Sequence, residues 1–399
     1  MMHFLPTMLF LNIVQSVAVL GFVTSSIYYL LCLWSATNFL SESSRRRNKY
    51  GAAGSEEKCP PISILKPLKG IDPEIYESFR SFCVQDYPEY EIIFGVSDPN
   101  DPAVASVKAL QQEFPQLPIQ LIVCPEILGA NVKVSNLAQM LTRARCEILI
   151  VNDSDIRVER DYLRRVTAPL ADVRTGIVTC LYRGVAAATI GSRLESLGIS
   201  TDFCAGVLAA RQLEGGIHFG LGSTLAFRRG DLEKIGGFES ILNHLADDYE
   251  LGKRISSLGL AVELSDVVVE TYLPAYDLAE FVSHQLRWAR GVRDARARGY
   301  LGLVFTFGIF WALLAAGVSG GAIWSLGTLA LTVFLRGSVA LLVGRGVLRD
   351  REVYKYLWLI PIRDLIAVAF WMVSLHGHTV SWRGDHFVLK DGRLTRIEP

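Results

Sequence analysis

Two carboxylates stand two residues apart in Asn152-Asp153-Ser154-Asp155, where the apolar run Cys146–Asp155 (CEILIVNDSD) ends. Asp153 and Asp155 in such a turn can converge on one hard cation. Mg²⁺ or Mn²⁺ is held in this way by one or two carboxylates, with phosphate oxygens among the remaining ligands. The same residues also suit an Asx-type turn or a cap on the helix that follows. Asp98, in Ser97-Asp98-Pro99, ends a second apolar run, Glu91–Asp98 (EIIFGVSD). It can cap a helix or accept a hydrogen bond from a base or ribose. Ala246-Asp247-Asp248-Tyr249-Glu250 opens an amphipathic stretch after the turn-rich Gly236-Gly237-Phe238. Acids in a first helical turn are favoured by the macrodipole. One of the two adjacent carboxylates could cap while the other abstracts a proton. His284-Gln285-Leu286-Arg287-Trp288 begins a basic stretch with five arginines within twelve residues, 287–298. Most of these suit a belt on anionic headgroups. Arg287 beside Trp288 suits a ligand diphosphate, the guanidinium on phosphate oxygens and the indole as a pocket wall.

These residues need elements to position them. Between about 58 and 295 the pattern alternates. Pro61–Pro67, Glu91–Asp98, Ile119–Cys124, Cys146–Asp155 and Gly176–Tyr182 read as strands, and Pro73–Gln85, Asp101–Phe114, Asn131–Arg145 and Glu159–Ala171 as helices. Continuous apolar strands alternating with helices predict an α/β fold with a mostly parallel sheet covered on both faces. Such sheets bind ligands at the carboxyl ends of their strands, where Asp98, Asp153 and Asp155 fall. No G-x-G-x-x-G or G-x-x-x-x-G-K-[ST] occurs, which excludes the common dinucleotide and P-loop fingerprints.

The chain has 399 residues, with 40 Lys+Arg against 40 Asp+Glu. Zero net charge argues against a nucleic-acid binder held by overall charge. Half the residues are hydrophobic, and they concentrate at the two ends. Met8–Trp34 is a run of 27 uncharged residues, more than the ~20 needed to cross a bilayer. It is too long for a signal-peptide core and reads as an uncleaved anchor over residues 1–40. Arg45, Arg46, Arg47 and Lys49 follow, in a basic linker 41–57 that the positive-inside rule places in the cytosol. Between Arg298 and Arg336 lie 37 uncharged residues with Ser319-Gly320-Gly321 inside them. This predicts a membrane hairpin whose second helix carries Arg336, facing the bundle or snorkelling. A third segment, Tyr356–Leu375, contains Pro361, Arg363 and Asp364. If it crosses, the basic tail lies outside. An interfacial or re-entrant path keeps the tail inside and is the favoured reading. Seven scattered cysteines with no C-x-x-C suit reduced thiols.

The motifs together resemble a family 2/21-type glycosyltransferase, nearest to the ceramide glucosyltransferases and bacterial hopanoid glycosyltransferases. The pieces are ILKPLKG (64–70), the Asp98 strand end, DSDIRV (153–158), ADDYELGKR (246–254), HQLRWAR (284–290) and SWRGDHF (381–387). The resemblance implies a GT-A nucleotide-sugar domain over 58–298, membrane segments over 299–376 and a basic tail over 377–399. It implies Asp248 as catalytic base and Asp153 with Asp155 as holders of Mg²⁺ or Mn²⁺. Lys66, Asp98, Gln285, Arg287 and Trp288 are implied contacts of the nucleotide-sugar. Two departures stand out. His284 occupies the place of a Gln or Arg, leaving open whether it or Gln285 contacts the donor. Asp155 replaces the Gly usual in relatives that act on ceramide. Both, with LEGGIHFGLGSTLAFRR (213–229), look more like the hopanoid branch.

The expected activity is inverting transfer of glucose or N-acetylglucosamine from a UDP-sugar to a hydroxyl of a membrane lipid, ceramide or hopanoid. The expected location is the cell (inner) membrane, with the catalytic domain cytosolic and no nucleic-acid partner. A processive polysaccharide synthase is the alternative among enzymes. A non-catalytic membrane transport or lipid-binding protein is the alternative outside them.

Overall fold

The apolar runs that end in acids are strands of one eight-stranded sheet. The computed structural model describes residues 4–52, 59–382 and 385–397. Arg383 lies outside the described residues, as do the side chains of Arg47 and Lys49. The strands are β1 (Ile62–Leu68), β2 (Tyr90–Val96), β3 (Ile119–Val123), β4 (Ile148–Val151), β5 (Ile156–Arg157), β6 (Thr175–Val185), β7 (Leu225–Arg228) and β8 (Ala261–Tyr272). Their order is β3-β2-β1-β4-β7-β6-β8-β5. Every residue of β1, β2 and β4 is buried, so both faces of the central sheet are covered. The helices Ile75–Cys83, Ala103–Glu113 and Val132–Leu141 make the crossovers between β1, β2, β3 and β4.

The α/β class is as expected, but the sheet is mixed rather than mostly parallel. The β1–β4 half is parallel throughout, whereas β7 runs antiparallel to both β4 and β6, and β5 antiparallel to β8. The four-residue β7, Leu-Ala-Phe-Arg, follows a glycine-rich loop, and local periodicity carries no information on strand direction.

The chain divides into two compact units. The sheet belongs to Ser41–Ser196, Leu213–Phe281 and the segment from His378 onward. The last segment was expected to be a basic tail. It folds into a second, antiparallel sheet of β9 (Thr379–Trp382), β10 (Asp385–Lys390) and β11 (Arg393–Arg396). Val380, Phe387, Leu389 and Leu394 form its core, against Ala130 and Leu245. Alternating apolar residues around the Asp391-Gly392 turn, both with positive φ, explain the hairpin.

The other unit comprises the chain up to Leu40, Leu197–Gln212 and Val282–Gly377. The N-terminal helix, Phe4–Ala52, continues past the expected anchor into the residues read as a linker. Among the described residues, three helical stretches are long and apolar enough to cross a membrane: Leu9–Arg46, Ile323–Val347 and Glu352–Ser374. The expected hairpin is present, its helices Gly308–Val318 and Ile323–Ala340 joined by a turn with Gly320 and Gly321 at positive φ. Its first arm is bent by 48° from the preceding Ala297–Thr306. Arg336 faces the bundle, forming a double hydrogen bond to Asp364 at 2.8 and 2.9 Å and donating to the Thr201 carbonyl. The segment read as interfacial, Tyr356–Leu375, belongs to the Glu352–Ser374 stretch, whose length and apolarity suffice for a full crossing.

Candidate active site

The site lies at the carboxyl ends of β1, β2 and β4, beside the first turn of the Asp247–Ser257 helix. Asn152 ends β4 fully buried and donates through Nδ2 to the Tyr162 hydroxyl at 2.9 Å and the Ser223 carbonyl at 2.6 Å. This fixes the Asp153 turn against the loop Gly220–Thr224. Lys66 was expected to touch the donor. It is instead 0% exposed, with Nζ donating to the Asp153 carbonyl at 2.9 Å and lying 4.0 Å from the centre of the Phe82 ring. Its task in this arrangement is to hold the Asp153 turn. Burial pulls its pKa down to about 7, opposed by Asp155, Asp153 and Asp72.

Asp153 and Asp248 come from separate elements and meet at Gly222. The Gly222 N–H donates to Asp248 Oδ2 at 2.7 Å. A Cβ on Gly222 would stand 2.9 Å from Asp153 Oδ2 and 3.2 Å from Asp248 Oδ2. Glycine is thus required by the close approach, not by backbone angle. A second glycine contact brings the helix in: a Cβ on Gly252 would stand 2.1 Å from the Gly220 nitrogen. Asp248 Oδ1 accepts from the Tyr249 N–H at 2.8 Å. Burial, then the neighbouring Asp247 charge, raises its pKa to about 6.

No side chain among the described residues caps this helix, so Asp247 does not do the capping expected of one of the pair. It is buried, and Oδ2 lies 3.0 Å from Lys133 Nζ, which also stands 2.8 Å from Asp153 Oδ1. Burial works against the Lys133 charge, but Asp153, Asp247 and Asp248 outweigh it and hold its pKa above the ordinary lysine range. Lys133 escaped the sequence reading because a lysine between Val132 and Val134 carries no local mark of a buried cation. Gly222 had a signal, the paired glycines of Gly220-Leu221-Gly222, whose meaning needed the fold.

Asp155 sits deeper and accepts a hydrogen bond from the Thr271 hydroxyl on β8. Burial and the Asp153 charge raise its pKa to about 6. Asp98 ends β2, with β1 between it and β4, a separation of about 10 Å at ordinary strand spacing. It is exposed and accepts from the Asn100 N–H at 2.8 Å, an Asx turn rather than a helix cap.

Gln285, Arg287 and Trp288 lie on the Leu278–Ala295 helix, in the portion that belongs to the membrane-helix unit. Trp288 packs at 5.8 Å on the Phe203 ring and 5.7 Å on His284 one turn earlier. The Gln285 side-chain carbonyl accepts from Arg363 at 3.0 Å.

The donor set suits a divalent cation. Asp153 presents Oδ2 toward Gly222, with Asp155 behind it on the same turn. No group of three or more His, Cys, Asp or Glu among the described residues could hold a metal ion by itself. A cation here would take its remaining ligands from water and phosphate, the habit of Mg²⁺.

The sequence model of Glycosyl transferase family 21 matches residues 17–395. The chain belongs to glycosyl transferase family 21. The match takes in the acidic site, the basic helix, the membrane helices and the C-terminal sheet of this family 21 protein. Among curated proteins it is similar to ceramide glucosyltransferase 3 of Caenorhabditis elegans, 23% identical over 70% of this chain and 60% of that protein. It is 30% identical to the ceramide glucosyltransferase of Komagataella phaffii, over 34% of this chain and 28% of that protein. The chain thus spans less than two thirds of the length of these relatives. The expected resemblance to ceramide glucosyltransferase-like proteins is borne out. Among solved structures it is similar to the mannosyltransferase PcManGT from Pyrobaculum calidifontis in complex with GDP-Man and Mn²⁺. There the TM-score is 0.48, with 19% identity over 87% of this chain and 98% of that one. Glucosyl-3-phosphoglycerate synthase from Mycobacterium tuberculosis with Mn²⁺ and UDP-glucose gives a TM-score of 0.38, with 18% identity over 63% and 83%. The mixed sheet of this family 21 protein is of the α/β class that the resemblance implied.

Proposed function

We propose that this protein is a membrane-anchored, inverting glycosyltransferase that moves glucose or N-acetylglucosamine from a UDP-sugar to a hydroxyl of a membrane lipid, ceramide or hopanoid. The observation that carries this reading is the meeting of Asp153 and Asp248 across Gly222. In this reading Asp153 serves the phosphates and metal while Asp248, beside it at Gly222, serves as the base.

Asp248 takes the proton from the lipid hydroxyl as its oxygen bonds to the anomeric carbon. The bond from that carbon to the diphosphate breaks, and UDP leaves with the electron pair. One positioned base suffices for such a displacement, which inverts the anomeric centre. Lys133 ties Asp153 and Asp247 together and holds them in place. Asp153, with Asp155, would hold Mg²⁺ or Mn²⁺, which when bound offsets charge on the departing diphosphate. Asp98, Gln285, Arg287 and Trp288 are assigned to the nucleotide-sugar, with Lys66 supporting from beneath. The sheet-bearing unit is assigned to transfer, in place of a continuous 58–298 domain, and the other unit to the membrane, with the catalytic domain on the cytosolic side of the cell membrane.

Membrane vesicles given UDP-[¹⁴C]glucose or UDP-[¹⁴C]N-acetylglucosamine, with ceramide or hopanoid, test the proposal after solvent extraction. Label in the lipid phase supports it. Label in insoluble polymer supports a polysaccharide synthase, and no label a non-catalytic protein. Mass spectrometry of the labelled lipid assigns sugar and acceptor.

A further inference from the structure

A cavity of about 530 Å³ lies between the Asp247–Ser257 helix and the β10–β11 hairpin. Lys253, Lys390 and Arg393 line it, with His244, Glu250 and Asp391. The Glu250 charge is already met by Lys253 at 3.1 Å and Arg254 at 3.5 Å. Lys390 and Arg393 have no carboxylate within ion-pair distance among the described residues. His244 is only 8% exposed, and its Nδ1 has no hydrogen-bond partner among the described residues. Two cations without an ion partner on one cavity suit an anion with several acceptor oxygens.

The walls of this cavity are joined by main chain. The Leu245 N–H donates to the Gly392 carbonyl at 3.1 Å, and the Leu394 N–H to the Asn243 carbonyl at 2.6 Å. Between these bonds His244 and Arg393 form an antiparallel bridge. The loop so clamped runs directly into Asp247 and Asp248.

We propose that this cleft binds a phosphate-bearing anion, either free phosphate or the headgroup of an anionic lipid, and that its occupancy tightens the clamp on the loop before Asp247. The consequence for catalysis rests on the transfer reaction proposed above, whereas binding itself does not.

Hydrogen exchange on the full chain in nanodiscs reads binding without reference to activity. One arm uses neutral phosphatidylcholine discs titrated with inorganic phosphate at constant ionic strength. The other uses discs containing phosphatidylglycerol without added phosphate. Amides of 243–246 and 391–395 are expected to slow by about tenfold when the anion is at about ten times its dissociation constant. The variant Lys390→Gln/Arg393→Gln should lose this slowing, and Arg174→Gln, at an exposed surface pair, should keep it. Unchanged exchange in β2 certifies that each variant is folded. Slowing with inorganic phosphate identifies a free-phosphate site, and slowing only with phosphatidylglycerol a headgroup site. No slowing in either arm, or equal slowing in the double variant, overturns the proposal.

Discussion

The Gly222 N–H holds Asp248 Oδ2 at 2.7 Å, and the same glycine leaves no room for a methyl group between that oxygen and Asp153. Gly222→Ala is therefore expected to push the two carboxylates out of register. A displacement of this order costs about 100-fold in rate. Initial rates of sugar transfer should fall by that factor while the unfolding temperature stays close to wild type.

Asp248→Asn keeps the shape and one hydrogen-bond acceptor but removes the proton acceptor. Transfer should fall by about 10²–10⁴-fold, the usual worth of a general base. UDP binding, followed by calorimetry, should persist. Near-wild-type turnover of the purified variant would assign the base elsewhere.

The raised pKa of Asp248, about 6 against an ordinary 3.8, gives opposite signs for stability and activity. The folded chain holds this proton more tightly than the unfolded one. Its contribution to stability is thus full below about pH 4 and lost as pH rises through 6. The proposed mechanism needs Asp248 ionised, so it predicts that kcat/KM climbs with pH and levels off above about pH 7. Asp155→Asn should leave that limb near 6, since the charges acting on Asp248 come from Asp247, Lys133 and Asp153.

Lys133→Met leaves Asp153 and Asp247 facing each other without the cation that joins them. Asp153 stays partly hydrated, so the loss is at most about 3 kcal/mol, the lower end for a broken buried pair. Thermal unfolding should register it, and transfer should weaken with it.

Within the membrane-helix unit, Arg336→Met strands the Asp364 carboxylate that its guanidinium meets at 2.8 Å. Breaking a buried pair costs about 3–5 kcal/mol, whereas replacing both members by apolar residues is often neutral. Arg336→Met/Asp364→Leu should therefore recover most of the stability lost by the single change, measured by unfolding in nanodiscs.

What could be read without the fold was whatever chain-local chemistry records. Apolar runs closed by Asp98 and by Asp153-Ser154-Asp155 became β2 and β4, and Asp248 opened a helix, because strand length, burial and helix starts are local properties. The rest depended on contacts between distant segments. Lys66 and Lys133 look like ordinary lysines until the sheet buries one beneath the Asp153 turn and sets the other between two carboxylates. The antiparallel β7 and the close approach of Gly252 to Gly220 are likewise visible only once the loop 219–224 has folded back. The C-terminal sheet was hidden by its charge, since a two-residue alternation with polar outer positions reads as a basic tail.

That sheet constrains how the chain can thread a bilayer. β9–β11 are built into the catalytic unit through Asn243 and Leu245. The chain leaves that unit at Phe281 and re-enters it at His378. If this unit faces water on one side of a bilayer, the intervening segment crosses that bilayer an even number of times. Three apolar stretches lie within it, counting the bent pair as one. On that condition parity allows at most two of them to cross fully, and a third would enter and leave by the same face. The 48° break after Thr306 fits either a broken span or such a same-face path.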